Sequence, residues 1–393
     1  MKYLRIANLF GAVALGLVAS ASIAQPEPIE NKFLLIRNDQ PIEAINLVQI
    51  NEQTLVAGDS SGGWRVVNLN KCVGLLNPDV KIRSRGIRGL LVLSSGQRFP
   101  GKALSGAASS NDVFVWNHAR FGRIEVPLDR VRTVLLTADA EPTTSGSADL
   151  IVLRNGDVVE GFVSTLGDPV TIDDMSNEGQ QVSTEISLDS VASVNIVTPN
   201  RKPTGQRIWL SDGTVLDVKN LLLGDDGIVR LIRPDMIGGE YQLPLSSIAA
   251  IMFDSTSMTP FASLPPKQVK GPSTRYVVRQ PKVLDVSSPL GLARVELHGP
   301  LSVSYALPDS ESRQLQFVAH AQLPPTSGQW ADFELVLRDD DKEVFRTRLN
   351  YSQPSASINV TLTGSVLSIQ ITEGEYGPIQ DRVVLHRAML LHK

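Results

Sequence analysis

Leu150-Ile-Val-Leu-Arg-Asn-Gly-Asp-Val-Val-Glu-Gly161, closed later by Ile186-Ser-Leu-Asp-Ser-Val-Ala-Ser-Val194, is the stretch from which the fold is read. It contains an apolar run, a turn dipeptide at Asn155-Gly156, a returning run, and a late Leu-x-x-Val-x-x-Val. Short apolar runs on either side of such a dipeptide predict a β-hairpin. Leu188, Val191 and Val194 have helical spacing for one turn and then a strand-like tail. That predicts a single 3₁₀ turn leading into a closing strand.

The unit recurs along the chain. Gly96 and Leu128, Gly156 and Leu188, and Gly213 and Leu245 are each 32 residues apart. Each leucine is followed at the third and sixth positions by an apolar residue: Val131 and Val134, Val191 and Val194, Ile248 and Ile251. Three identical spacings define an internal repeat. Ser95-Gly96 and Asp212-Gly213, like Asn155-Gly156, tolerate the positive φ that a two-residue hairpin turn needs. An eroded copy precedes them, in which Leu34-Leu-Ile-Arg-Asn38-Asp39 carries Asp39 in the glycine's place. Leu69, Cys72 and Leu75 close it after a span of 30 residues. Cys72 therefore fills the position of Val131, Val191 and Ile248, and is predicted to be buried and unreactive. It is the only cysteine, so an intramolecular disulfide is excluded.

The residues Leu153-Arg-Asn-Gly-Asp-Val-Val-Glu-Gly161 resemble the opening of Sm-like and SH3-like small β-barrels, and the five-residue step from Gly156 to Gly161 repeats between Gly96 and Gly101. The resemblance implies one small barrel for each of residues 31–80, 87–137, 149–197 and 205–253, the first divergent. The Asp/Asn pair and Arg-Gly with which Sm proteins hold RNA are not recognisable, so the resemblance implies fold and not RNA binding. Trp64, Trp116 and Trp209 fall in these repeats and are expected as core or barrel-to-barrel contacts. Residues 254–282, rich in Pro, Ser and Thr, read as a linker.

From residue 283 the pattern becomes strict alternation. Leu301, Val303 and Tyr305 share one face, as do Leu315, Phe317, Ala319, Ala321 and Leu323, then Phe333, Leu335 and Leu337. Ile358, Val360 and Leu362, and Leu367, Ile369 and Ile371, continue it. Alternating strands in about 110 residues predict a two-sheet β-sandwich over 283–393. The fold class expected for the whole chain is all-β: tandem small SH3/Sm-like barrels followed by a C-terminal sandwich.

This last domain resembles the NPCBM family, a novel putative carbohydrate-binding module of exported bacterial proteins. The carrying residues are His298-Gly-Pro-Leu-Ser-Val-Ser-Tyr-Ala-Leu307, Leu315-Gln-Phe-Val-Ala319, Phe333-Glu-Leu-Val-Leu337, and Asp381 in the closing segment. Val384 and Leu385 stand where the family commonly has a further acid and Trp. The resemblance implies a galactose-binding-like jelly roll and a glycan ligand.

The N-terminus reads as a secretory signal over 1–24. Lys2 and Arg5 precede an uncharged apolar run from Leu9 to Ala19, and Ser22-Ile-Ala24 offers small residues for cleavage. The alternative is an uncleaved anchor. A secreted or periplasmic location is expected, with no transmembrane span after cleavage. The formal charge of −4 becomes −6 without Lys2 and Arg5, which disfavours nucleic acid as a partner.

Catalytic signatures are missing. The five histidines, His118, His298, His320, His386 and His392, have no metal-ligand spacing, and there is no HExxH, nucleophile elbow or P-loop. No metal or cofactor is expected. Sugar binding needs an exposed aromatic plate beside planar polar groups. His298, Tyr305, Trp330 and Asp381 are the candidate ligand contacts, with Tyr351 and Tyr376 as neighbours; core packing is the competing role for Tyr305 and Trp330. The chain thus reads as a non-catalytic binder of polysaccharide or other glycan, with envelope proteins as further possible partners. A protein–protein scaffold without a sugar site is the alternative. A glycoside hydrolase built on Glu373 and Glu375, or on Asp339 to Asp341, ranks below both, because acid and base must face each other across a cleft.

Overall fold

The computed structural model describes residues 32–39, 42–58, 63–82, 89–104, 113–140, 147–175, 181–271, 278–308, 314–377 and 379–393. The expected signal segment, and parts of the loops between strands, lie outside these. The fold is all-β, as the patterning predicts.

Four five-stranded repeats come first. The first comprises β1 (Lys32–Arg37), β2 (Glu43–Ile50), β3 (Thr54–Gly58), β4 (Trp64–Asn68) and β5 (Cys72–Leu76). The second comprises β6 (Gly89–Leu93), β7 (Arg98–Ala103), β8 (Val113–His118), β9 (Gly122–Pro127) and β10 (Val131–Leu135). The third is β11 (Asp149–Leu153), β12 (Val158–Thr165), β13 (Val170–Met175), β14 (Gln181–Ile186) and β15 (Val191–Asn195). The fourth is β16 (Gln206–Leu210), β17 (Val215–Leu223), β18 (Ile228–Pro234), β19 (Glu240–Pro244) and β20 (Ile248–Met252). In each, four strands form an antiparallel meander and the fifth returns to pair with the first. The 3₁₀ turns stand at the predicted leucines: Leu128–Arg130, Leu188–Ser190, Leu245–Ser247, and Leu69–Lys71 in the eroded copy. Cys72, Val131, Val191 and Ile248 all lie in one core cluster. Burial also raises the Cys72 thiol to about 11, so it stays protonated and inert.

The 32-residue spacing has a physical cause. Ser94 N–H donates to Arg130 O at 2.8 Å, Arg154 N–H to Ser190 O at 2.9 Å, and Ser211 N–H to Ser247 O at 2.9 Å. The hairpin turn is therefore bonded directly to the end of the 3₁₀ turn, and changing the length between them would break that contact. The turn type differs from expectation. Leu93 N–H donates to Gln97 O, and Gly96 N–H to Leu93 O, which closes a three-residue loop with only the glycine at positive φ. Gly96, Gly156 and Gly213 have φ of 84°, 94° and 93°. The residue before each glycine does not need positive φ. Asn155 Oδ1 instead accepts from Asp157 N–H at 3.0 Å, and Asp212 Oδ1 from Thr214 N–H at 2.9 Å.

The repeats do not hang as beads. The closing strands pair antiparallel with one another, β10 with β15 (Val134 opposite Val194) and β5 with β20 (Leu75 opposite Ile251). The first repeat thus joins the fourth, and the second joins the third. Polar contacts tie the second to the fourth: Gln97, fully buried, donates to Asp235 Oδ2 at 2.7 Å and accepts from Asp217 N–H at 3.1 Å. Arg207 forks onto the buried Asp217 at 2.6 and 3.0 Å, which satisfies that carboxylate.

The C-terminal region is a sandwich. One sheet runs β23 (Lys282–Leu284), β24 (Arg294–His298), β31 (Arg382–His392), β26 (Leu315–Gln322), β29 (Ser355–Leu362). The other runs β22 (Pro266–Lys270), β25 (Leu301–Ala306), β30 (Val366–Glu373), β27 (Asp332–Asp339), β28 (Lys342–Asn350). The alternating residues predicted to face inward form its core, and Phe317, Phe333, Leu335, Leu337, Leu367 and Ile369 are completely buried.

Residues 254–282, expected as a linker, contribute to this sandwich. β21 (Met258–Pro260) pairs with β31, β22 pairs with β25, and Phe261 sits 4.5 Å from Tyr305 and 5.2 Å from Phe317 in the core. Three- and five-residue strands rich in Pro and polar groups carry too little alternation to be read as strands. Nor is the sandwich separate from the repeats. Ile36, Val73, Trp209 and Ala249 cluster with Met258, Leu290, Val318 and Met389. β31 is consequently apolar on both faces, one turned to the sandwich core and one to the repeats. Trp116 is core and Trp209 is contact, as expected, but Trp64 is 69% exposed.

Two outcomes are expected. Gly156→Ala should cost about 1–2 kcal/mol in urea denaturation, since its φ of 94° is unfavourable for any Cβ although no atom crowds the site. Phe261→Ala should cost about 3–5 kcal/mol by the same measurement, because it empties a core position; a free linker residue would cost almost nothing.

Candidate functional site

One end of the sandwich gathers polar and aromatic groups from three connections. β27 starts there with Asp332, directly after Trp330 and Ala331. β28 ends opposite, with Asn350 paired to Asp332, and leads to Tyr351. The connection between β30 and β31 brings Tyr376, Gln380 and Asp381. Trp330 and Tyr376 stand edge to face, with centroids 5.4 Å apart and planes at 85°. They are 47% and 44% exposed, and Tyr351 is 74% exposed, so apolar rings face solvent beside charged groups.

Asp332 organises this end. Its carboxylate takes a bidentate fork from Arg348, 2.6 Å on each arm, and accepts the Glu375 N–H at 3.0 Å. The Arg348 bonds hold the Asp332 carboxyl below the ordinary carboxylate range. A Cβ on Gly374 would collide with the Asp332 carbonyl, so the β30–β31 connection can lie this close only with glycine there. Gly328 N–H donates to Gln380 Oε1 at 2.6 Å, which ties the Trp330 loop to the same connection and leaves the Gln380 amide nitrogen available. Arg348 also keeps half of its surface open to solvent.

Asp381 lies beneath, 2% exposed. Its Oδ1 meets the Asp332 N–H at 3.5 Å, its carbonyl accepts the Gly299 N–H at 2.7 Å, and its Oδ2 has no partner. Burial, reinforced by the charges of Asp332 and Glu373, pushes the carboxyl up to about 7. It braces the site from below.

The four residues singled out in the sequence are therefore separated. Trp330 and Asp381 meet around Asp332. His298 joins through Gly299, with its own ring 3.6 Å from Glu296, the carboxylate that also receives Arg382. Burial lowers the His298 imidazole despite that neighbour. Tyr305 takes the competing core role: it is 2% exposed, packs on Phe261, and sits toward the opposite end of β25. Burial raises its phenol well above the ordinary value. Its place on the alternating apolar face, with Leu301 and Val303, is the signal for a core role. Asp332, Arg348 and Gln380 were missed, because they come from segments whose ends meet only after the sheets form.

Two of the carboxylates considered for hydrolysis, Asp339 and Asp340, are engaged by backbone N–H groups. At the far end of β27, Asp339 accepts from Thr363 and Gly364 N–H at 2.8 and 3.0 Å, and Asp340 from Ser365 and Val366 N–H at 3.1 and 3.0 Å. They brace a loop. Among the described residues no group of three His, Cys, Asp or Glu side chains could hold a metal, and no helix is long and apolar enough to cross a membrane.

The class defined here is an all-β chain of strand-paired repeats, ending in a sandwich with an aromatic, charged tip. No family model and no curated protein matches the chain. Solved structures similar to it include a CBM51 module from Clostridium perfringens GH95 in complex with methyl-galactose, at 14% identity and TM-score 0.28, covering 34% of this chain and 99% of that one. The tandem CBM51 modules of a family 98 glycoside hydrolase from Streptococcus pneumoniae align at 10% identity and TM-score 0.27, over 92% and 88%. The tandem CBM22 domains of Paenibacillus barcinonensis Xyn10C align at 10% and 0.23, over 89% and 91%. TM-scores of 0.23 to 0.28 carry no ligand over to this chain.

The Asp381 environment predicts a pH dependence. Between about pH 4 and 7 the folded carboxyl keeps a proton that the unfolded chain has released, so its contribution to stability falls as pH rises and is lowest above about pH 7. Asp381→Asn keeps the shape without the charge. Its melting temperature relative to the natural chain should be highest near about pH 8 and converge toward about pH 4. A constant offset across that range would contradict the buried, unpaired carboxylate.

Proposed function

We propose that this chain is an exported, non-catalytic carbohydrate-binding protein that holds glycan at the Trp330 tip of its C-terminal sandwich. The observation that carries this reading is the exposed Trp330–Tyr376 pair set beside the Arg348–Asp332 fork and the free amide of Gln380. The C–H faces of a pyranose pack on an indole, while its hydroxyls bond planar guanidinium and amide groups at the rim. Asp332 and Asp381 hold those groups in place, and His298 flanks them through Gly299.

The reading agrees with the NPCBM resemblance of residues 283–393 and with the signal-like N-terminus, which implies a secreted or periplasmic location. The repeats, whose resemblance is to small Sm-like and SH3-like barrels, would serve as the spacer or interaction array that carries the sandwich. Asp332 is committed to Arg348, Asp339 and Asp340 to backbone N–H groups, and Asp381 to burial, which supports binding without hydrolysis.

The test is a glycan array probed with the mature chain, followed by calorimetric titration of the best-bound glycan. Trp330→Ala and Tyr376→Ala should each raise Kd by about tenfold or more, roughly 1.4 kcal/mol. Their melting temperatures should stay close to that of the natural chain, because both side chains are half exposed. Unchanged affinity in Trp330→Ala would remove the site, and a chain that binds no glycan would remove the function.

A further inference from the structure

Because the repeats share one plan, each strand position can be compared across four copies of the same structural environment. The fourth strand of each repeat, β4, β9, β14 or β19, pairs only with the third among the described residues, so its other edge is open. Open edges invite pairing with another chain, and polar or charged side chains are the usual protection. Five and three residues before the leucine of the 3₁₀ turn, the second repeat has Arg123 and Glu125, the third Ser183 and Glu185, and the fourth Glu240 and Gln242. All six are exposed and polar. At the same positions the first repeat has Trp64 and Val66, 69% and 68% exposed. At these two positions only the first repeat is apolar.

Several features identify what this edge accepts. From β4 a single hydrogen-bonded path runs through β3, β2, β1, β5, β20, β16, β17 and β18 to β19. At its other end β19 carries Glu240, Gln242 and Pro244, two polar groups and a residue with no N–H to offer. The path is thus open at β4 and guarded at β19. The one cation on β4, Arg65, is bound to Glu43 at 2.5 Å, so two such edges can approach without like-charge repulsion. Val56 lies opposite Val66, and Gly58 opposite Trp64, which extends the apolar strip inward and leaves room beside the indole. The chain already joins equivalent strands in this way, β10 to β15 and β5 to β20, antiparallel and edge to edge.

We propose that β4 is where two copies of this chain associate, antiparallel and edge to edge about a two-fold axis close to Val66. In that arrangement Trp64 of each copy lies opposite Asn68 of the other, and the two valines meet at the axis. The outward sheet face gains two indoles and two isopropyl groups in one strip. A contact of one five-residue strand per copy is small, so the dimer is weak, with Kd on the order of micromolar.

The experiment is sedimentation velocity of the full mature chain from about 1 to about 100 μM. The natural chain should pass from monomer to dimer in that range, with a blue shift of tryptophan emission as Trp64 is covered. Trp64→Arg combined with Val66→Glu installs the residues of the second repeat, which that repeat already folds with at the same positions. This variant should remain monomeric throughout, with melting temperature and glycan affinity unchanged. Trp64→Ser, the residue of the third repeat, should weaken association about tenfold or more and supports the proposal even if the double variant misfolds. A natural chain that stays monomeric overturns the proposal, as does a folded Trp64→Ser or double variant that dimerises like the natural chain.

Discussion

Each closing strand in this protein has a hydrogen-bonded neighbour on both edges, and the architecture depends on that constraint. β5, β10, β15 and β20 each pair with the first strand of their own repeat on one side. On the other side each pairs with the closing strand of another repeat. A strand buried on both edges must satisfy every backbone group by pairing, and two closing strands brought together do so mutually. Because the first repeat is matched to the fourth, the chain folds back on itself. The face formed by Ile36, Val73, Trp209 and Ala249 then receives the sandwich.

The sandwich takes its own form from that docking. β31 is the longest strand, Arg382–His392, and lies between β24 and β26. It has to be apolar on both sides, since Leu385 and Leu390 enter the sandwich core while Met389 and Leu391 meet the repeats. Docking covers one face of one sheet and leaves the strand ends free. The site tip is built at one of those ends, where Asp332, Gly374 and Asp381 are locked by Arg348, by close backbone approach and by burial. Rigid support beneath and solvent above are what let Trp330 and Tyr376 stay half exposed without collapsing into the core.

Much of the fold was legible because it is periodic. The alternation of Leu315 to Leu323 and of Phe333 to Leu337 named the core side of β26 and β27, since a strand with one buried face must alternate. The 32-residue spacing named three of the repeats and located their 3₁₀ turns, and the closing Leu69, Cys72 and Leu75 located the remaining one. Legibility failed where periodicity was short or absent. β21 and β22 have three and five residues, too few to show a period, so their sequence reads as linker. Tyr305 carries both signals, a ring suited to sugar contact and a place on the alternating apolar face, and it is buried in the core. Trp64 is expected as a core or barrel-to-barrel contact, yet it is exposed at a position that is polar in every other repeat.

By itself the sequence determined the all-β class, the four repeats with turn glycines in three of them, the inert Cys72 and the inward faces of the sandwich. These depend on local rules: which residues tolerate positive φ, and which side of a strand meets the core. Only the tertiary structure decided that the first repeat joins the fourth, that the supposed linker completes the sandwich, and that Asp332, Arg348, Gln380 and Asp381 converge beneath Trp330. Those facts depend on contacts between residues tens to hundreds of positions apart in the chain. Local pattern carries no record of which distant strand a given edge will pair with, because any edge of matching polarity offers the same hydrogen bonds.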